Sequence, residues 1–142
     1  MINRKPVISG KLYPSSFIQL EGQIKICFLD KQGPGDTPIG RKNGKKILSV
    51  ISPCSSYNES GASSAWVFKE LAETEFPKTY LILGTNNTNM GGDFSTYTFA
   101  NWETPFGVVN INKEIGFKLT KIYPKIFNEA DPFSENYTIE AQ

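Results

Sequence analysis

Phe17, Leu20, Ile24, Cys27 and Phe28 recur at helical intervals, and Ser16-x-x-Gln19 has the spacing of a capping box, so the pattern predicts an amphipathic helix there. Cys27 lies on its apolar stripe and reads as a small core hydrophobe. Residues 47–53 (ILSVISP) and 79–85 (TYLILGT) are short apolar runs with a helix-like stretch, residues 61–74 (GASSAWVFKELAET), between them. Strand, helix, strand at that spacing predicts a βαβ unit with parallel neighbouring strands. The small residues Gly61, Ala62, Ser63, Ser64 and Ala65 would let the helix start close to the sheet, and Trp66, Phe68 and Leu71 are expected to fill the core. Residues 97–102 and 108–112 are β-rich and flank Thr104-Pro105-Phe106-Gly107, which predicts a hairpin. Asn112 can cap a following helix carrying Ile115, Leu119 and Ile122, and residues 139–142 look like the opening of another helix.

Between the first helix and the first apolar run lie residues 31–46 (KQGPGDTPIGRKNGKK), whose four Gly and two Pro predict an exposed loop with a turn at Asn43-Gly44. Its basic residues have no interleaved aromatics, so they read as a solvated loop and not as a nucleic-acid site. The length of 142 residues fits one domain, 1–142, large enough to bury a core without disulfide staples. A net charge of +1 gives no electrostatic case for nucleic acid or an anionic membrane as partner. No apolar run approaches the roughly 18 residues of a membrane span. The opening MINRKPVISGKLYPSS has no signal-peptide core, so the expected compartment is the cytoplasm, with Cys27 and Cys54 as reduced thiols. In that compartment the N-x-[ST] matches at Asn58, Asn86 and Asn136 are accidents of composition.

The chain contains no histidine, and this changes the chemistry open to it. It cannot by itself build a Ser-His-Asp or Cys-His unit, a two-His-one-carboxylate iron site or a His-rich zinc site. In a parallel sheet, ligands gather at the carboxyl ends of the strands. There the two loops leaving the expected strands, residues 54–60 (CSSYNES) and 86–92 (NNTNMGG), would lie side by side. Cys54, Ser55, Ser56, Tyr57 and Glu59 from one, with Asn86, Asn87 and Thr88 from the other, form the candidate polar cleft. Cys54 follows a strand and precedes a helix, as a nucleophile could, but no histidine can take its proton, so it reads as a structural or weakly ligating thiol. LGTNNTNMGG lacks the spacing of a phosphate loop, and Gly91 and Gly92 read as turn residues. Glu59, Glu103 and Glu135 form no pair fixed by local spacing, which leaves a two-carboxylate mechanism unsupported.

Several segments, in order, resemble the Memo family, whose prokaryotic members include the AmmeMemoRadiSam system protein B. SGKLYP (residues 9–14) is similar to that family's S-G-x-x-Y-P, and SPCSSYNESGASSAWVFKEL (52–71) to S-P-H-A-G-Y-x-Y-S-G and the helix after it. LGTNNT (83–88) resembles L-G-P-N-H-T, WETPFGVVNI (102–111) resembles W-x-T-P-L-G-x-V-x-V, and TIEAQ (138–142) resembles the end of E-H-S-L-E-V-Q. The resemblance implies a fold shared with class III extradiol dioxygenases, with this chain as its N-terminal half, and histidines at strand ends that hold a nonheme metal. At those histidine positions this chain has Cys54, Asn87, Phe133 and Tyr137, which adds Tyr137 to the candidate cleft. Cys can still ligate a borderline metal and Asn offers a weak carbonyl, but Phe ligates nothing.

The expectation is therefore an α/β domain with a mixed sheet, a parallel βαβ core, helices on both faces and a hairpin insertion. Its expected function is that of a noncatalytic relative, a pseudoenzyme without a cofactor, whose polar cleft binds a small molecule, a peptide or a partner subunit. The alternative is a dioxygenase-like enzyme with nonheme iron or copper, using Cys54 and Asn87 and completed by another chain. A homo-oligomer or a complex with a second-half chain is expected, because half of such a fold would leave a sheet edge and an apolar face exposed.

Overall fold

The structure, a computed structural model, describes residues 3–40, 44 and 46–142. The turn expected at Asn43-Gly44 falls on Asn43, outside the described residues. The chain divides into two compact units: a helical unit of Ser9–Leu81 with Ala141, and a sheet unit of the residues up to Ile8, Ile82–Glu140 and Gln142.

In the helical unit, α1 (Phe17–Leu29) packs on α2 (Tyr57–Ala72). Helix α1 forms where its periodicity places it, and Leu20 and Cys27, seven residues apart, are its buried positions. Ser16 takes the extended cap backbone, but its hydroxyl makes no cap bond. The buried face of α2 is Gly61, Ala65 and Lys69, at i, i+4 and i+8. Gly61 meets α1 directly, since a Cβ there would overlap the Cys27 thiol. The small residues of α2 thus serve the approach of a helix, not of a sheet. Trp66 and Phe68, expected in the core, are 51% and 36% exposed. They lie one position beyond the buried Ala65 and one before the buried Lys69, off the face that the glycine turns toward α1. Trp66 keeps one bond inward, from its indole N–H to the Gln32 carbonyl (2.9 Å).

The first part of the long loop is anchored. Lys69, with its side chain 10% exposed, pairs with Asp36 and with Glu73 (3.5 Å), and Glu73 also accepts the Ile39 N–H (3.4 Å). These carboxylates, the Asp36 hydrogen bond first, hold the Lys69 ammonium above its ordinary pKa.

The sheet unit contains both parallel and antiparallel strands, consistent with the expected mixed α/β class. Strands β2 (Trp102–Thr104) and β3 (Gly107–Val109) form the hairpin expected around Pro105-Phe106, with Thr104 opposite Gly107. Gly107 has φ 121°, a conformation that glycine adopts without strain, and the Thr104 hydroxyl donates to its carbonyl (2.9 Å). Helix α3 (Lys113–Ile122) starts at Asn112, whose side chain accepts the Ile115 N–H (3.2 Å), as the capping pattern predicts. The parallel pair is β1 (Phe94–Thr96) with β4 (Ile126–Asn128), in register Phe94 to Ile126 and Thr96 to Asn128. Because the hairpin and α3 lie between these strands in sequence, the parallel βαβ core is present, but it spans 94–128 and not 47–85. Residues 47–53 and 79–85 join no ladder. Parallel pairing is stable when both strand faces are covered. Leu48 and Ile51 are 86% and 94% exposed and Leu83 is 86% exposed, so neither run has that cover. The short α4 (Asp131–Ser134) follows β4 and buries Phe133, and the expected terminal helix is only a turn, closed by Gln142 N–H to the Ile139 carbonyl (3.1 Å). Among the described residues no helix is long and apolar enough to cross a membrane.

Candidate functional site

The strand pairing that would set residues 54–60 and 86–92 side by side is not formed, and the candidates divide between the units. Cys54, Ser55, Ser56, Tyr57 and Glu59 belong to the helical unit, while Asn86, Asn87, Thr88 and Tyr137 belong to the sheet unit.

In the helical unit much of the expected loop is helix, because α2 begins at Tyr57, four residues earlier than the pattern places it. Glu59 therefore sits in the first turn, where its negative charge suits the helix dipole, and it takes a short hydrogen bond from the Ser55 hydroxyl. The Ser55 N–H donates to the Ser60 hydroxyl (3.2 Å), and the Ser60 hydroxyl donates to the Ser56 carbonyl (3.3 Å). Tyr57 packs its ring on Tyr13 at 5.8 Å and donates its hydroxyl to the Ala141 carbonyl (3.0 Å). Burial, then the neighbouring Cys27 and Cys54, raises its phenol pKa, so it stays a neutral donor. Neither cysteine is in a disulfide. Burial also raises the Cys27 thiol, with Asp30 adding to the effect, which fits an inert packing residue.

In the sheet unit Asn86 closes its own loop. Its side-chain oxygen accepts from the Thr88 N–H (3.1 Å) and hydroxyl (2.7 Å), and its amide donates to the Met90 carbonyl (2.8 Å). Asn87 is exposed at the tip and Tyr137 is half-buried. Gly91 and Gly92 are turn residues with a second duty: Gly91 has φ 77°, and a Cβ at either would collide with Pro132 and Glu129 or with Phe127. Asn136 is 6% exposed and bonds Thr85 and Thr138, so its sequence match marks no surface acceptor.

The sequence reading missed Glu129, which underpins this loop from 37 residues away. It accepts the Gly92 N–H (2.8 Å) and the Ser95 hydroxyl (2.5 Å). Those bonds, the serine's first, hold the carboxyl below its ordinary value of 4.5. A depressed folded pKa contributes stability above the unfolded value, and that contribution is lost as pH falls through the folded value. Local opening of residues 90–95 is therefore expected as the pH falls below the ordinary carboxyl value of 4.5 and through the lower folded value. In Glu129→Gln it should already be present at pH 7 and vary little with acid. The Gly92 amide proton, followed by NMR against pH, reads this directly. A Gly92 signal insensitive to both the acid and the substitution would show that Glu129 does not hold the loop.

Also missed is Arg4, 8% exposed, which pairs with Glu140 at 2.6 Å. Glu140 lies in the TIEAQ motif, and that was the available signal for it.

A metal is what the family pattern would lead one to seek here. Among the described residues no three His, Cys, Asp or Glu side chains gather into a group able to hold one. Phe133 stands where that pattern has a histidine, and it packs as an aromatic: its ring lies 5.5 Å from Tyr97 and 6.3 Å from Trp102, and its carbonyl accepts the Arg4 Nε–H (2.8 Å). The donor set described does not fit a metal centre.

Comparison with known proteins gives consistent results. The family model described as Memo-like protein matches residues 4–142. A MEMO1 family protein of Methanopyrus kandleri is 32% identical over 141 residues, covering 99% of this chain and 50% of the relative. One from Thermotoga neapolitana is 40% identical over 113 residues, covering 78% of this chain and 41% of the relative. One from Methanococcus maripaludis is 33% identical over 142 residues, covering 99% and 50%. The chain spans about half the length of the curated relatives it matches. No solved structure matches it.

Proposed function

The chain belongs to the Memo family, and on that premise we propose that it is a noncatalytic, cytoplasmic member that acts by binding. In the sheet unit the exposed Asn87 at the 86–88 loop, and separately in the helical unit the polar groups of 54–59 not spent on internal bonds, would offer hydrogen bonds to a small molecule, a peptide or a partner subunit.

The observation that supports this reading is Phe133. A position that in the family pattern carries an imidazole is 8% exposed and filled by a phenyl ring against Tyr97 and Trp102. A phenyl ring offers a metal no lone pair. The other three such positions carry Cys54, Asn87 and Tyr137, and only the thiol is a strong ligand.

Elemental analysis of protein purified without a histidine tag tests the reading. Iron, copper and zinc are each expected far below one per chain. Phe133→His should restore no metal and should cost about 1–3 kcal/mol, because the aromatic pocket leaves an imidazole N–H without a partner. Stoichiometric metal that disappears in Cys54→Ala would overturn the proposal in favour of a dioxygenase-like enzyme with altered ligands.

A further inference from the structure

Helix α3 meets the rest of the sheet unit through its small side: Gly116 is its buried position, and a Cβ there would overlap the Thr98 methyl. Lys113, Phe117 and Lys121 stand at i, i+4 and i+8, so they form one stripe about 12 Å long. All three are exposed, the phenyl ring 53%. Lys118 is paired with Glu114 (2.6 Å), whereas Lys113, Lys121 and, just past the helix, Lys125 pair with no carboxylate among the described residues. Ile122 and Tyr123, 65% and 59% exposed, lie at the C-terminal end of the helix. The net charge of +1 averages over this stretch, since residues 113–125 hold four Lys and one Glu.

That local excess of positive charge decides what can cover the face. A protein interior takes up phenylalanine and isoleucine, but not three ammonium groups without carboxylates. A nucleic-acid surface favours arginine, and the only arginine of the sheet unit, Arg4, is buried against Glu140. An anionic bilayer suits both kinds of residue present: its headgroups take the ammonium groups, and its interfacial layer takes a phenyl, a phenol and an aliphatic side chain. We propose that the Lys113–Phe117–Lys121 face of α3, extended by Ile122, Tyr123 and Lys125, is a docking surface for an anionic phospholipid bilayer. The contact is peripheral, because Gly116 stays against Thr98 and only the exposed side chains enter the headgroup layer. The surface uses none of the residues at 54–59 and 86–88, so it is independent of what those loops bind.

Sedimentation of the chain with vesicles tests this, using phosphatidylcholine alone and phosphatidylcholine mixed with phosphatidylserine in roughly equal amounts. The chain should bind the mixed vesicles at low salt, release them steeply as salt screens the headgroups, and leave phosphatidylcholine alone unbound. Each lysine near such a surface is worth roughly a fivefold change in partitioning, so Lys113→Gln/Lys121→Gln should bind about 20-fold more weakly. Phe117→Ser should also bind more weakly but keep the parent's salt dependence, because it removes an apolar group and no charge. Leu48→Ser, at an exposed position of the helical unit, should bind as the parent does. These variants alter exposed side chains and should keep the parent's circular dichroism, and the salt dependence of the parent itself decides the matter without them. Equal binding to both kinds of vesicle, or its loss in Leu48→Ser, would overturn the proposal, since apolar residues elsewhere would then be adhering to lipid. So would absence of binding, or binding unchanged in Lys113→Gln/Lys121→Gln. Displacement of the vesicles by single-stranded oligothymidylate at the same salt would overturn it too, and would make nucleic acid the occupant.

Discussion

Replacing Arg4 by alanine is expected to lower the unfolding free energy of the sheet unit by about 3–5 kcal/mol, the usual cost of breaking one side of a buried ion pair. The side chains of Arg4 and Glu140 are 7% and 2% exposed. The guanidinium makes four hydrogen bonds: Nε on the Phe133 carbonyl (2.8 Å), Nη2 on the Asn136 carbonyl (3.2 Å) and Nη1 on Glu140 and the Lys5 carbonyl. Its plane also lies 4.0 Å from the centroid of the Trp102 ring. Glu140 in turn accepts the backbone N–H groups of Val7 and Ile8, each at 3.0 Å. Alanine removes the guanidinium from a buried carboxylate and a donor from each of three carbonyls. Lysine is not a conservative replacement, because one ammonium on a flexible stem cannot serve carbonyls on both sides of the carboxylate as the planar fork does. Arg4→Lys should therefore recover less than half of the loss. Urea unfolding followed by Trp102 fluorescence in a Trp66→Phe background reads this unit alone. An Arg4→Ala midpoint equal to that of the parent would remove the pair from the stabilising interactions.

Gly61→Ala should destabilise the helical unit by about 1–3 kcal/mol, although alanine is the better helix former by about 1 kcal/mol. The sign follows from contact and not from propensity. A Cβ at 61 overlaps the Cys27 thiol and also meets the Cys27 Cβ at 3.4 Å, so α1 and α2 must move apart or Cys27 must leave its rotamer. Removing the sulfur should reverse the outcome. In Gly61→Ala/Cys27→Ala the new methyl fills the space the thiol vacates, and the double variant should be more stable than Gly61→Ala alone. Thermal unfolding of the four proteins in this cycle measures the coupling. Additive effects would mean that the two residues do not meet at the helix crossing.

The features legible in the sequence are those fixed within a few residues. Periodicity alone marks α1, the Thr104-Pro105-Phe106-Gly107 turn gives the hairpin, and the Asn112 cap opens α3, each depending on partners no more than seven positions away. The Asn86–Thr88 turn is of the same kind, and the ordered motifs together carry the family. The missed features depend on partners far along the chain. The buried face of α2 is set by Cys27, 34 residues from Gly61, so the more apolar Trp66 and Phe68 lose the core to glycine and alanine. Strand β1 exists because β4 pairs with it, although neither is longer than three residues.

The candidate site divides along the same line. Its residue types were readable, but the start of α2 at Tyr57 and the Glu129 bonds that brace the second loop were not. Sequence by itself determined the α/β class, the local turns and caps, and a chemistry without imidazole, since propensity, capping and side-chain identity are local properties. Tertiary structure decided which apolar runs are covered and which stay open. Residues 47–51 and 80–83 have the composition of strands, but a strand is stable only when another segment takes up its peptide groups, and no residue within the run itself can supply that partner.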